Sequence, residues 1–285
     1  MTARISVSSW TLHRALGAMW LDGFDPAKQT PPGPTREIDL LELPGRAAGH
    51  GVRTLELCHF HFSSRDGAYL AELAAEADTH NVELYSILID DGDITAPDPA
   101  VRNRDTAWIR SWIDTAGELG ASAARVIAGD TDPVHANGSL MEDPNIRQSA
   151  TALKELHAYG ADKGVKVFTE NFKKLSLKAD QLLAILELCD GQITICADFG
   201  NFKGEDRYEE FAKIAPHATS AHAKAQYTDD GAIIPDDLIG GMRVLNEHNF
   251  QGPFSLIFDQ PMADGKTEWD YLDLMKGIAD QHIRA

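Results

Sequence analysis

An α/β fold, a single (β/α)8 barrel of the TIM-barrel type, is what this 285-residue chain predicts, and three observations carry the prediction. A short apolar or β-branched run, a polar loop and a helical stretch follow one another eight times. The connections are unequal: those entering the strands are short and turn-like, and those leaving them are long and rich in Pro, Gly and charge. No linker interrupts the series, so residues 1–285 read as one domain, of a length that such barrels commonly reach. An open doubly wound sheet is the alternative. It would usually carry a Gly-rich first turn, and none follows Ser9.

The elements alternate along the chain. Strand 5–9 leads through a long segment, 17–37, containing Pro31-Pro32-Gly33-Pro34, to helix 40–49. Strand 54–58 precedes helix 67–80, whose Leu70, Leu73, Ala74 and Ala77 recur at helical spacing. Strand 83–88 and helix 101–119 flank loop 90–99; strand 124–128 and helix 146–163 flank loop 129–145. Strands 166–170 and 193–198 precede helices 178–188 and 208–214. Strand 220–224 precedes helix 237–247, and strand 254–258 reaches helix 269–281 across loop 259–266. The helical stretches are rich in Ala, Leu and Glu. The returns His50-Gly51-Val52, His80-Asn81-Val82, Lys163-Gly164-Val165, Asp190-Gly191-Gln192 and Gln251-Gly252-Pro253 place Gly or Asn where a left-handed residue closes a helix.

Composition narrows the function classes. The hydrophobic share of 43% and charged share of 25% are those of an ordinary globular protein. No run of ~18 apolar residues is present, and Met1-Thr2-Ala3-Arg4 leads into the first strand without a secretory stretch. A cytoplasmic location is therefore the expectation. The formal net charge of −18 repels phosphate backbones and anionic lipid, so neither nucleic acid nor membrane is an expected partner. Cys58, Cys189 and Cys196 form no CxxC pair and read as small core residues. Asn137-Gly138-Ser139 reads as a loop coincidence. Asp90-Asp91-Gly92-Asp93 lacks the later ligand positions of a calcium loop and reads as a solvated turn.

Buried parallel strands should be apolar, yet four here end in polar residues. Val167-Phe168-Thr169-Glu170-Asn171 and Ile195-Cys196-Ala197-Asp198-Phe199-Gly200-Asn201 each end in a carboxylate. Ser220-Ala221-His222-Ala223-Lys224-Ala225-Gln226 presents an imidazole and an amine two residues apart, hence on one strand face. Ser255-Leu256-Ile257-Phe258-Asp259 ends in a further acid. A carboxylate facing a barrel interior is costly unless paired or bound to a cation. Two acids and a histidine suit a divalent ion such as Mn²⁺, Mg²⁺, Co²⁺ or Zn²⁺, and equally a hydrogen-bonded cluster neutralised by Lys224. Arg125 in the fourth strand reads as neutralising the interior acids, with binding of an anionic substrate as the alternative, and Glu56 in the second strand reads as its sort of partner.

The segments Thr169-Glu170-Asn171-Phe172, Asp198-Phe199-Gly200-Asn201-Phe202, Ala221-His222-Ala223-Lys224 and Gly252-Pro253-Phe254-Ser255-Leu256 resemble the xylose isomerase-like barrel superfamily. The similarity runs from Ser8-Ser9-Trp10 to the eighth strand. It implies metal ligands at the ends of strands five to eight, of which Glu170, Asp198 and His222 match. The fourth does not: Ile257 stands where that family has a glutamate, and Asp259, two residues on, is a replacement ligand, an acid/base or a loop cap. The resemblance thus implies a divalent metal whose occupancy the substitution puts in question, a small sugar or sugar-like substrate, and a homodimer.

Proton abstraction beside a carbonyl needs a base and an electrophile, and a divalent ion can serve as the latter. Family epimerases resemble two-carboxylate machines, so losing the eighth-strand glutamate favours a sugar isomerase or, as runner-up, a dehydratase or other lyase. Glu170 is then metal ligand, base or both, with Lys224 and Asp259 as further catalytic candidates. Asn171, Asn201 and Gln226 would orient hydroxyls or serve as loop hydrogen-bonders. Trp10, His13, His59 and His61 are substrate-contact candidates, a packed or solvent-exposed residue being the other reading of each histidine. The alternatives are an epimerase of the same superfamily and a metal-free carbohydrate-binding barrel without turnover.

Overall fold

A computed structural model of the chain describes residues 2–21, 36–134 and 138–283. Most of the 17–37 segment, including Pro31-Pro32-Gly33-Pro34, and Asn137 of the tripeptide noted above lie outside the described residues. Eight parallel strands close into a barrel in which each pairs with its neighbours in sequence and the last with the first. They are β1 (Arg4–Ser8), β2 (Thr54–Cys58), β3 (Glu83–Ile89), β4 (Ala123–Val126), β5 (Lys166–Glu170), β6 (Ile195–Asp198), β7 (Ala218–Lys224) and β8 (Pro253–Ile257). The outer helices are α1 (Leu43–Gly49), α2 (Gly67–Thr79), α3 (Pro99–Leu119), α4 (Pro144–Ala161), α5 (Ala179–Leu188), α6 (Arg207–Ile214), α7 (Asp236–Glu247) and α8 (Glu268–His282). This is the expected single (β/α)8 barrel, with strand and helix ends displaced by a few residues at most.

The displaced ends have identifiable causes. Helices α3 and α4 begin two residues before their apolar period because Asp98 and Asp143 cap them and Pro99 and Pro144 take the first helical positions. Proline is suited there, its missing N–H being one that a helix leaves unbonded anyway. Gly51, Asn81, Gly164 and Gly191 adopt the expected positive φ of 73°, 51°, 74° and 70°. Gly252 does not. Asn249, with φ 58°, closes α7 instead, and Gly252 answers to a close approach: a Cβ there would stand 2.0 Å from the Thr219 carbonyl oxygen. A short antiparallel ribbon, Gln226–Tyr227 with Ile233–Ile234, follows β7 and was not expected from the sequence.

Outward strand residues such as Val7, Leu55, Ile87, Val167, Ala197 and Leu256 join the helices in one continuous core. Inside the barrel a small separate cluster of Tyr85, Ala123, Phe168 and Cys196 forms an apolar floor. The polar strand ends lie one step further along their strands. Among the described residues no helix is long and apolar enough to cross a membrane.

Candidate active site

Strand register assembles the site. Ser8 pairs with Glu56, Glu170 with Cys196, Asp198 with His222, and Lys224 with Ile257. Alternate residues of a strand share a face, so placing one polar residue inward commits the next but one. Glu56, Arg125, Glu170, Asp198 and His222 are all buried, each 5% exposed or less.

His222 is the hub. Its Nδ1 lies 3.3 Å from Glu170 Oε1 and 3.6 Å from Asp198 Oδ2, and its Nε2 lies 3.1 Å from Glu56 Oε2. Arg125 reaches Glu170 through Nε at 3.1 Å and grips Asp90 through its terminal nitrogen. Lys224 Nζ bridges Asp198 at 3.1 Å and Asp259 at 3.3 Å. Asp198 Oδ1 accepts from Gly200 N–H at 2.7 Å, and Asn201 Nδ2 donates to Glu170 Oε1 at 3.3 Å. Above this cluster opens a cavity of about 400 Å³ whose wall includes Trp10, Phe60, Asp90, Phe172, Lys173 and Asp259. Glu170 and Asp198 thus both meet His222, and the cluster still faces open space.

Charge states follow from burial set against partners. Burial would raise the Asp198 and Glu56 carboxyls; the Lys224 ammonium and His222 outweigh it at Asp198, and the His222 hydrogen bond and charge do so at Glu56, so both stay below the usual carboxylate range. Burial would lower Lys224, but Asp198 and Asp259 hold it above the ordinary lysine value, which makes it a fixed cation rather than a base. Burial also opposes an imidazolium at His222, yet the Cys196 sulfur and the Glu170 and Asp198 carboxylates carry it well above the ordinary histidine value.

Several sequence expectations need correction. Glu56 partners His222 and not Arg125, whose acids are Asp90 and Glu170. Asp90 is no solvated turn residue, because it lines the cavity. His59 and His61 lie behind the wall, 1% and 0% exposed. Burial pushes their imidazoles down to about 4 and about 3, and His61 Nδ1 meets Ser9 Oγ at 2.8 Å. His13 stacks on Trp10 at 4.3 Å and supports that ring rather than lining the cavity. Asn171 is engaged with backbone: its Nδ2 donates to Asp198 O at 3.1 Å, and its Oδ1 accepts from Asp198 N–H at 2.8 Å. Gln226 is exposed in the short ribbon and does not reach the cavity. Trp10, Asn201, Lys224 and Asp259 do line it.

Sequence reading missed Glu56 as the histidine's support, and a signal existed: a carboxylate between Leu55 and Leu57 in an otherwise apolar strand. Ligand atoms of Glu170, Cys196 and His222 all lie within 4.8 Å of one another. Burial pushes the Cys196 thiol up to about 11, so it would have to give up its proton to act as a ligand. All three cysteines are free and buried, as core residues are.

The family model described as xylose isomerase-like TIM barrel matches residues 44–272. Among solved structures, a D-psicose 3-epimerase from Clostridium cellulolyticum H10 superposes with a TM-score of 0.74 at 12% identity, covering 100% of both chains. A xylose isomerase domain protein from Planctomyces limnophilus gives 0.66 at 18% identity, over 99% of this chain and 98% of that one. The probable 3-DHS dehydratase AsbF from Bacillus anthracis gives 0.68 at 14% identity, over 97% and 98%. No curated protein matches the chain. At such identities the superpositions speak for the fold alone, whereas the family match spans most of the chain. The chain belongs to the xylose isomerase-like TIM barrel family.

Proposed function

We propose that the protein is a sugar isomerase-type enzyme that removes a proton next to the carbonyl of a small polyhydroxylated substrate, with a divalent metal ion at Glu170, Asp198 and His222. The observation that carries this reading is the convergence of those three side chains beneath a cavity of about 400 Å³. That volume is within the usual range for small-molecule sites.

The donor set supports an ion there. Two carboxylates and an imidazole meet, and the far nitrogen of that imidazole is held by a buried carboxylate, Glu56, as metal-binding histidines usually are. Glu170, Asp198 and His222 would hold the ion, which would displace the proton those carboxylates keep on the imidazole; Ile257 withholds a fourth ligand, which leaves room for substrate oxygens or water. When bound, the ion would polarise the carbonyl and stabilise the charge that develops on its oxygen. Asp259 is drawn toward Lys224 and also accepts from Gln260 Nε2 at 3.1 Å, which favours an acid/base or orienting role over replacement of the missing ligand.

The chain's own groups divide the remaining work. Glu170 Oε1 is the base that takes the proton, with Oε2 fixed against Arg125. Lys224, held as a fixed cation, stabilises an oxyanion, and Asn201 orients Glu170 and a substrate hydroxyl. Trp10 offers a ring to the apolar face of a sugar. With one interior carboxylate lost from the eighth strand, single-base isomerisation fits better than two-base epimerisation, and β-elimination of water is the runner-up. A metal-free carbohydrate-binding barrel is the second reading, favoured by Ile257 and by the pairing of both acids with Lys224 and Arg125.

The test is metal analysis of the purified protein for Mn, Co, Zn and Mg, followed by incubation with ketoses and aldoses in D₂O. Deuterium should enter the carbon beside the carbonyl in wild type, and Glu170→Gln should lose roughly 10²–10⁴-fold in rate. Absence of stoichiometric metal together with full exchange by the variant would sink the proposal. Ligand binding without turnover, indifferent to chelator, would establish the second reading.

A further inference from the structure

The cations on the cavity wall are not equivalent. Arg125 engages both Asp90 and Glu170, and Lys224 engages both Asp198 and Asp259. Lys173 also lines the cavity, but its ion-pair partner among the described residues is Asp130, at 3.7 Å, with the two side chains 34% and 47% exposed. A contact that long and that wet contributes little and gives way readily.

The backbone at Lys173 is under strain. Its φ of 66° and ψ of 172° fall in a region that is essentially confined to glycine. Neighbouring contacts enforce it. Asn171 is clamped to both backbone groups of Asp198, Phe172 N–H donates to Glu170 O at 2.8 Å, and Ser176 Oγ accepts from the same N–H at 3.1 Å. The turn that leaves β5 is therefore anchored at the candidate base itself. The ammonium lies 5.3 Å from the centroid of the Phe172 ring, which is also on the wall. A lysine held where glycine would be unstrained needs its side chain as the reason.

We propose that Lys173 is a specificity-determining residue that binds an anionic group on the substrate, so that the substrate class is a hydroxylated carbonyl compound bearing a negative charge, such as a keto sugar acid. The inference rests on the polyhydroxylated-substrate reading above and sharpens it. Arg125 and Lys224 are committed to the interior acids, which leaves Lys173 to meet a charge carried in from solvent. The chain's net charge of −18 opposes an anionic ligand, and a cation on the cavity wall would offset that field locally. A carboxylate and a phosphate share the required chemistry, and the probes separate them.

Wild type, Lys173→Gly, Lys173→Met and Lys173→Arg would be titrated calorimetrically with fructose, 2-ketogluconate and fructose 6-phosphate at low salt. Wild type should bind one of the anionic probes at least tenfold more tightly than fructose, in keeping with a charge-assisted contact. That preference should fall below twofold in the Gly and Met variants and return with Arg. Lys173→Gly should at the same time raise Tm by roughly 2 °C by releasing the backbone, which shows that lost preference is not lost folding. The anion bound more tightly, carboxylate or phosphate, identifies the group that Lys173 takes. Equal affinity for all three probes in wild type, or a preference that survives Lys173→Met, overturns the anion subsite while leaving the sugar-site reading intact. Failure of wild type to bind any of the three counts against both.

Discussion

The two halves of the barrel mouth are built from different materials. The arc from β5 to β8 supplies Glu170, Asp198, His222, Lys224 and, beyond its last strand, Asp259. The facing arc, from β1 to β3, supplies Trp10, Trp20, Cys58, Phe60 and Leu88, with Trp20 stacked on Phe60 at 4.6 Å and Trp10 edge-on to it at 5.8 Å. A polyhydroxylated ligand has C–H faces that suit the aromatic arc and oxygens that suit the ionic one. On the proposed function, orientation would come from the contrast between the walls, and chemistry from one of them. Asp90 and Arg125 close the seam between the two arcs as an ion pair.

Three perturbations would break or sharpen that contrast. The largest is Glu56→Ala, which strips His222 of the acid that holds its Nε2 and leaves a buried charged group short of a partner. A loss of about 3–5 kcal/mol is expected, measured by chemical denaturation, whereas Glu56→Gln should retain most of the stability. A smaller loss by the Ala variant than by a typical core truncation would mean that the ionic arc does not depend on its support from β2.

Acid should come next, through the two imidazoles behind the aromatic arc. His59 and His61 stay neutral in the folded state until pH falls to about 4 and about 3 because burial disfavours their charge. In the unfolded chain they take up protons below about 6.5, so unfolding binds protons and stability falls as pH drops from that value. Between pH 6.5 and pH 5 each should contribute a loss of about 2 kcal/mol. His61→Asn, which can keep a bond to Ser9, should flatten the denaturation profile over that interval; an unchanged slope would refute the assignment.

The smallest effect belongs to Trp10→Ala. Its ring is 36% exposed, so stability should change little. Loss of the stacking surface should raise KM roughly tenfold with kcat within about twofold, the pattern of binding lost equally in ground and transition states. A fall in kcat instead would place the aromatic arc in the chemistry.

Most of the barrel was legible because burial on both faces and helical periodicity are written locally. The ends of β5, β6 and β7 were legible as well, since Glu170, Asp198 and His222 break apolar runs where polarity is costly. The fates of His59, His61 and Asn171 were not. Each follows a strand as a loop residue would, and only packing tells a residue that lines a cavity from one that braces its wall. Gln226 misled for another reason: alternation along β7 continued past Lys224 in the sequence, while the chain itself turned away into a ribbon.

What the sequence determined by itself was the repeat, the unequal loops and the line of polar residues at the strand ends, because alternation and the cost of buried charge act over a few neighbouring residues. Which partners those residues take was decided by closure of the barrel. Glu56 and His222 are 166 positions apart and meet only because the barrel brings β2 and β7 around one lumen, with a register shift between β2 and β3 at Leu55 and Glu56. Pairing energies in a low-dielectric interior depend on distances of a few ångströms, and such distances are fixed by strand register and tilt, which no local pattern encodes.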